Sequence, residues 1–199
     1  VLPHEDGRTT PKARYVTMLE TFGRIVGQGG LVCGTHVHVH VEEPEAVGIV
    51  DEIQPWLSLL AALSVNSPIY RGEDTGYASW RRQLYDGWPS AGPVEPFGDA
   101  AGYQEAVRQL IASGAAMDEG MIYFDARLSR NFPTIEIRVA DACTNLDDTI
   151  LIAELARALV ETAARARADG QIAPPWRTDL LRAARWRARR NGLTDPLMD

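Results

Sequence analysis

The sequence predicts an α+β domain: a mostly antiparallel sheet with flanking helices. Three observations carry this. Segment 134–139 alternates strictly between apolar and polar residues, and in 31–41 β-branched residues alternate with polar ones, the period of a half-buried strand. Longer segments repeat apolar residues at three- and four-residue spacing, as amphipathic helices do. Strands and helices do not alternate regularly, which argues against a doubly wound parallel sheet. The 199 residues suffice for one sizeable core.

Taken in order, residues 1–11 read as loop. Residues 12–27 read as a helix, with Tyr15, Met18, Leu19, Phe22, Ile25 and Val26 at helical spacing. Gly27-Gln28-Gly29-Gly30 ends it. The strand at 31–41 follows. Pro44 suits a helix start, and 45–65 form a long apolar helix. From 66 to 102 glycines and prolines break every regular pattern, yet six aromatics argue against simple disorder. Residues 103–116 read as a helix, 122–125 as a short strand and 134–139 as a longer one. A clear amphipathic helix covers 148–168, capped by Asp147 or Asp148. The last helix covers 177–191 and ends near Gly192.

A net charge of −7 disfavours broad nucleic-acid binding. Segment 177–190 opposes that trend with six arginines against Asp179 alone; it reads as a solvated helix face or as a local anion site. Cys33 and Cys143 form no close-spaced framework and read as small core residues. A reducing cytoplasm is the expected compartment. No apolar run approaches the roughly 20 residues of a membrane span, and no leader peptide is recognisable. The first residue is Val1, so the expectation is a processed chain or a piece of a longer one.

The most pointed feature is Cys33-Gly34-Thr35-His36-Val37-His38-Val39-His40. Successive strand side chains point to opposite faces. His36, His38 and His40 therefore share one face, expected to line a cleft, and Val37, Val39 and Val41 share the core face. Imidazoles at i and i+2 can converge on one divalent metal. The spacing leaves a metal hydrolase, a metal-dependent oxygenase and a nucleotide-dependent ligase all open. In Thr134-Ile135-Glu136-Ile137-Arg138-Val139 the isoleucines and Val139 face one way, Glu136 and Arg138 the other. That pairing reads as a cross-strand salt bridge, or as a metal-binding carboxylate beside a phosphate-binding guanidinium. Asp141, just past the strand, suits either role.

Together with Pro55-Trp56-Leu57 and Leu63-Ser64-Val65-Asn66-Ser67-Pro68, the histidine run resembles glutamate–cysteine ligase family 2. Further matching blocks are Asp74-Thr75-Gly76-Tyr77-Ala78-Ser79-Trp80-Arg81, Trp88-Pro89-Ser90-Ala91-Gly92-Pro93 and Thr134 through Asp141. Thr144-Asn145-Leu146-Asp147-Asp148-Thr149 and Ala184-Arg185-Trp186-Arg187-Ala188-Arg189 continue it. The resemblance runs through essentially the whole chain, 1–199. It implies the C-terminal part of a single catalytic domain, with a curved antiparallel sheet similar to glutamine synthetase and the guanido kinases. It also implies a cytoplasmic enzyme of glutathione biosynthesis that uses ATP and Mg²⁺ to join glutamate to an amine such as cysteine.

Carried over residue by residue, the resemblance gives His36 and Glu136 to the metal, His38 to ATP, and Arg138 to the transferring phosphate or substrate carboxylate. Arg81 is the next phosphate or substrate contact. Ser79 is implied beside the nucleotide, and Asn66 and Tyr77 beside the substrate. Arg185 and Arg189, four apart on one helix face, are weaker candidates. The family's glutamate-rich strand, a further source of metal ligands, has no counterpart here. That segment is expected as a separate or cleaved partner chain. Where His40 stands, the family usually has glycine. Two rivals remain beside the ligase: a metal hydrolase built on His36, His38 and His40, and a non-catalytic subunit that complements a partner. Homo-oligomerisation is left open; nucleic-acid and membrane partners are not expected.

Overall fold

The structure, a computed structural model, describes residues 10–23, 25–26 and 32–197. The glycine-rich stop at 27–30, the strand start at Leu31 and most of the loop at 1–11 lie outside the described residues. Helix α1 covers Ala13–Phe22 and strand β1 Gly34–His40. Helix α2 covers Ala46–Ser64, and the short strands β2 (Ile69–Tyr70) and β3 (Glu73–Asp74) form a small hairpin. Helices α3 (Trp80–Tyr85) and α4 (Ala100–Ala112) follow, then a 3₁₀ turn at Glu119–Met121. Strands β4 (Ala126–Leu128) and β5 (Thr134–Asp141) precede helices α5 (Leu146–Ala168) and α6 (Thr178–Asn191).

The main sheet among the described residues has three antiparallel strands in the order β1-β5-β4. One face is apolar. Ile135, Ile137 and Val139 of β5 are buried against Ile49, Val50, Ile53 and Leu57 of α2, with Ala156 and Val160 of α5 behind them. Val37 and Val39 pack against the same cluster. Each such aliphatic side chain contributes about 1.5–3 kcal/mol when fully buried, so this layer fixes which way β1 and β5 face. A second cluster joins Met18 of α1 to Tyr103 and Val107 of α4 and to Ile122 and Phe124.

Helix α5 begins where Asn145 accepts a hydrogen bond from the Asp147 N–H at 3.1 Å. Asp147 and Asp148 lie in its first turn and Arg165 and Arg167 in its last, matching the helix dipole at both ends. The cap is thus Asn145 rather than Asp147 or Asp148.

Several expectations are corrected. The short strand expected at 122–125 forms at Ala126–Leu128 instead. Ile122 and Phe124 are drawn into the second core cluster. The irregular stretch 66–102 contains the β2–β3 hairpin and α3. Helix α4 starts three residues early, because the Asp99 carboxylate caps it by accepting from Gly102 N–H at 2.8 Å. Cys33 is exposed and Cys143 half-buried, so neither is a core residue. Helix α2 is long and apolar enough to cross a membrane by length and composition, contrary to the reading of the sequence. Its apolar side chains form the centre of the core.

Candidate active site

The site lies on the polar face of the sheet. The β1–β5 register sets His38 opposite Glu136, and the β4–β5 register sets Arg127 opposite the same residue. Paired residues on antiparallel strands share a face, so Glu136 is flanked by an imidazole and a guanidinium. A register shift between Thr35 and Val37 re-aims the next side chain, as bulges do. His36 thereby reaches the same carboxylate. Its Nδ1 lies 3.2 Å from Glu136 Oε1, while His38 Nε2 is 3.9 Å from that oxygen. His38 Nδ1 is 2.9 Å from the Thr134 hydroxyl. His40 does not join them: its Nε2 is 3.0 Å from Glu42 Oε1, and both side chains are exposed.

Glu136 is buried. Arg127 Nε donates to its Oε2 at 2.8 Å, and Arg138 Nη1 donates to its Oε1. Burial alone would push this carboxyl up; His36, Arg127 and Arg138 outweigh burial and hold it far below the usual carboxylate range. Arg138 is itself held on three sides. Its Nε donates to the Tyr85 hydroxyl at 3.1 Å, and its main-chain N–H donates to the Asp125 carbonyl at 2.9 Å. Its guanidinium sits 5.8 Å from the centre of the Tyr123 ring. Burial works against the Arg138 charge, and Tyr85 and Glu136 more than restore it.

Arg81 lies behind this face. Its Nη1 is 3.5 Å from Asp141 Oδ1, and its Nη2 donates to the Arg138 carbonyl at 3.4 Å. This placement requires glycine at position 34: a Cβ there would lie 2.1 Å from Arg81 Nη2. Burial, and then the neighbouring Arg82, lower the Arg81 pKa against the pull of Asp141.

Asp141 organises the loop that the sequence left irregular. It accepts from Asn66 N–H at 2.9 Å, from the Ser67 hydroxyl at 2.7 Å and from the Ser79 hydroxyl at 3.0 Å. Ser79 is fully buried and also caps α3 by accepting from Arg82 N–H, so its hydroxyl is not offered to the open face. Asn66 is exposed, with its side-chain amide on the Ala142 carbonyl. Tyr77 packs edge-on against Trp80 with the Arg190 guanidinium over its ring. The structure therefore gathers His36, His38, Glu136 and Arg138, places Arg81 just beneath them, and sets Asn66, Tyr77 and Ser79 in the adjoining loop.

Reading the sequence missed Arg127, Tyr85, Arg82 and Asp125. Asp125 is buried between Arg82 Nη2 at 2.7 Å and Arg185 Nε at 2.9 Å. Arg185 and Arg189 both reach Asp86 as well. The contiguous network thus holds Arg81, Arg82, Arg127, Arg138, Arg185 and Arg189 against Asp86, Asp125, Glu136 and Asp141. Guanidiniums outnumber carboxylates in a chain whose net charge is −7. Among the described residues, the buried Nε of Arg81 and Nη1 of Arg82 find no acceptor. Only Arg127, alternating with Ala126 and Leu128, carried a faint strand signal; four residues further on, the chain already turns at Phe132-Pro133.

The donor set does not make a self-sufficient metal centre. Mg²⁺ prefers several oxygen ligands. This face supplies one carboxylate, and both of its oxygens are engaged by guanidiniums. Among the described residues no cluster of three or more His, Cys, Asp or Glu side chains has metal-ligating geometry.

Comparison with known proteins identifies the family of the chain. The profile of glutamate–cysteine ligase family 2 (GCS2) matches residues 2–199. The chain belongs to this family. A relative from Frankia alni, provisionally named glutamate–cysteine ligase 2-2, is 53% identical over 191 residues, covering 96% of this chain and 50% of the relative. A Nocardioides protein with the provisional name glutamate–cysteine ligase 2-1 is 53% identical over 190 residues, 95% of this chain and 50% of its own length. One from Streptomyces coelicolor, provisionally glutamate–cysteine ligase 2, is 47% identical over 93% of this chain and 51% of its own length. The chain spans about half the length of the curated relatives it matches.

Proposed function

We propose that this chain forms part of an ATP-dependent carboxylate–amine ligase that joins the γ-carboxylate of glutamate to an amine such as cysteine. The observation that carries the reading is the excess of guanidiniums, Arg138 among them, buried behind a face on which His36 and His38 are exposed. Such a cluster suits a polyanion, and arginine forks match phosphate and carboxylate oxygens.

A free carboxylate resists attack by an amine because it offers no adequate leaving group. The γ-phosphoryl group of ATP is first transferred to the γ-carboxylate of glutamate, giving an acyl phosphate and ADP. The amine then attacks the acyl carbon, and inorganic phosphate departs with the C–O electron pair. Charge neutralisation and alignment supply most of the catalysis in such transfers. Arg138 faces the transferring phosphoryl group or the substrate carboxylate, held in line by Tyr85 and Glu136. His38 contacts the nucleotide, and His36 shares Glu136 with it. Arg81 adds positive potential from beneath, while Asn66 and Tyr77 border the substrate side. The described residues do not by themselves complete a Mg²⁺ site. The hydrolase reading is less well supported, because His40 turns to Glu42 instead of converging with His36 and His38.

The test is ADP release with ATP and Mg²⁺ supplied, measured for the chain alone and with the half of the Frankia alni relative that it does not cover. Release that requires both glutamate and an amine is the expected result. Release indifferent to glutamate, or absent in both preparations with every amine tried, overturns the reading.

A further inference from the structure

A cavity lies away from the histidine face. It has a volume of about 880 Å³ and is walled by α2, the 172–176 linker and the tail at 193–197. That volume is within the range of small-molecule sites, roughly 300–1,000 Å³. Pro55, Trp56, Leu59, Ile172, Pro175 and Trp176 give it an apolar wall. Trp56 is 55% exposed, an unusual state for so large an apolar side chain on a core helix. None of His36, His38, Arg81, Glu136 and Arg138 lines this cavity.

The charges in the wall are unequal. Glu52 is paired with Arg167 at 2.6 Å, and Arg167 lies so close over α2 that a Cβ on Gly48 would meet its guanidinium carbon at 2.1 Å. Asp195 is paired with Arg187 and accepts from Asn191. Asp51 differs. Among the described residues its two oxygens accept only the main-chain N–H groups of Phe97 at 3.0 Å and Gly98 at 2.8 Å. No cation lies within ion-pair distance of it among the described residues. Burial pushes its carboxyl up, which main-chain bonding and Arg167 only partly oppose. An acid without an ion-pair partner among the described residues, in a wall bearing two tryptophans, is the chemistry that recognises an organic cation: a carboxylate for the charge, indole faces for the apolar body.

We propose that this cavity is a second ligand site, taking a small organic ammonium ion whose apolar body lies against Trp56 and Trp176 and whose charge rests on Asp51. The proposal is independent of the ligase reading, because the two sites share no residue.

The test is calorimetric titration of the whole chain with three compounds of one shape: phenethylammonium, 2-phenylethanol and 3-phenylpropanoate. Saturable binding of the ammonium is expected, at least about fivefold tighter than the alcohol, with no binding of the carboxylate. Asp51→Asn should bring ammonium and alcohol within about twofold of each other, and Leu59→Trp, which fills the cavity, should abolish both. Circular dichroism checks that the variants fold; if Asp51→Asn does not, Trp176→Ala should still weaken the ammonium at least about fivefold. Equal affinity for ammonium and alcohol, no saturable ammonium binding, or binding that survives Leu59→Trp overturns the proposal.

Discussion

The guanidinium of Arg81 occupies the space that a side chain on Gly34 would need, with Arg81 Nη2 2.1 Å from the position of the absent Cβ. Arg81 is buried and ion-paired to Asp141, so it cannot swing clear without breaking that pair. Gly34→Ala should destabilise the fold by about 1–3 kcal/mol, read by urea denaturation. In an Arg81→Ala background the added cost of Gly34→Ala should largely vanish, since the two residues couple directly. Equal cost in both backgrounds would show that glycine serves another purpose at position 34.

Glu136 governs an acid limb of stability. Its folded-state carboxyl is held far below the ordinary carboxylate value. A depressed carboxyl contributes stability that is fully present above the unfolded pKa, near 4.3, and is lost as pH falls below that value. Glu136→Gln should therefore flatten the stability profile below about pH 4.3. It should also leave Arg127 and Arg138 without their counter-charge at neutral pH, at a cost on the order of 3 kcal/mol. Denaturation curves from about pH 3 to 7 check both effects.

Tyr85→Phe removes only the hydroxyl that accepts from Arg138 Nε. The buried nitrogen then loses its partner, costing about 1–3 kcal/mol. In a preparation that turns over, ADP release should drop about tenfold or more while the secondary structure is unchanged. Unchanged release would remove Tyr85 from the positioning of Arg138.

Asp125→Asn tests the buried clamp between α3 and α6. Burial raises this carboxyl, and Arg185 and Arg82 outweigh it, so the group is ionised in the fold. Loss of the charge strands the buried Arg82 guanidinium and leaves Arg185 with Asp86 alone, and should cost about 3–5 kcal/mol. Thermal or chemical denaturation reads this directly.

His40→Gly should change glutamate-dependent turnover by less than about twofold, because His40 is exposed and turned toward Glu42. His36→Ala, which removes a partner of Glu136, should reduce it by at least about tenfold. Equal effects would place His40 in the site.

The outline of the fold was legible in the sequence, and so was the centre of the site. Strict alternation in β1 and β5 dictates that His36, His38, Glu136 and Arg138 share a face, because Val37, Val39, Ile135 and Ile137 have to be buried. What pattern could not supply was register. Only the pairing of His38 and Arg127 with Glu136, and the shift beside His36, bring two imidazoles and a second guanidinium to the carboxylate that Arg138 already shares a strand with. The irregular segment 66–102 was opaque for a different reason. Its order comes from single polar contacts to Asp141 and Asp125, at separations of 43 to 75 residues, and such contacts leave no periodic trace. Arg127 was hidden because β4 is only three residues long, too short for alternation to be read.

The most direct test of the central claim is the fate of the glutamate γ-carboxylate oxygens. With glutamate labelled by ¹⁸O at that carboxylate, transfer through an acyl phosphate delivers a labelled oxygen to the inorganic phosphate released. The account predicts ¹⁸O-labelled phosphate, formed in step with ADP and only when an amine is present. Unlabelled phosphate during amide formation would contradict it.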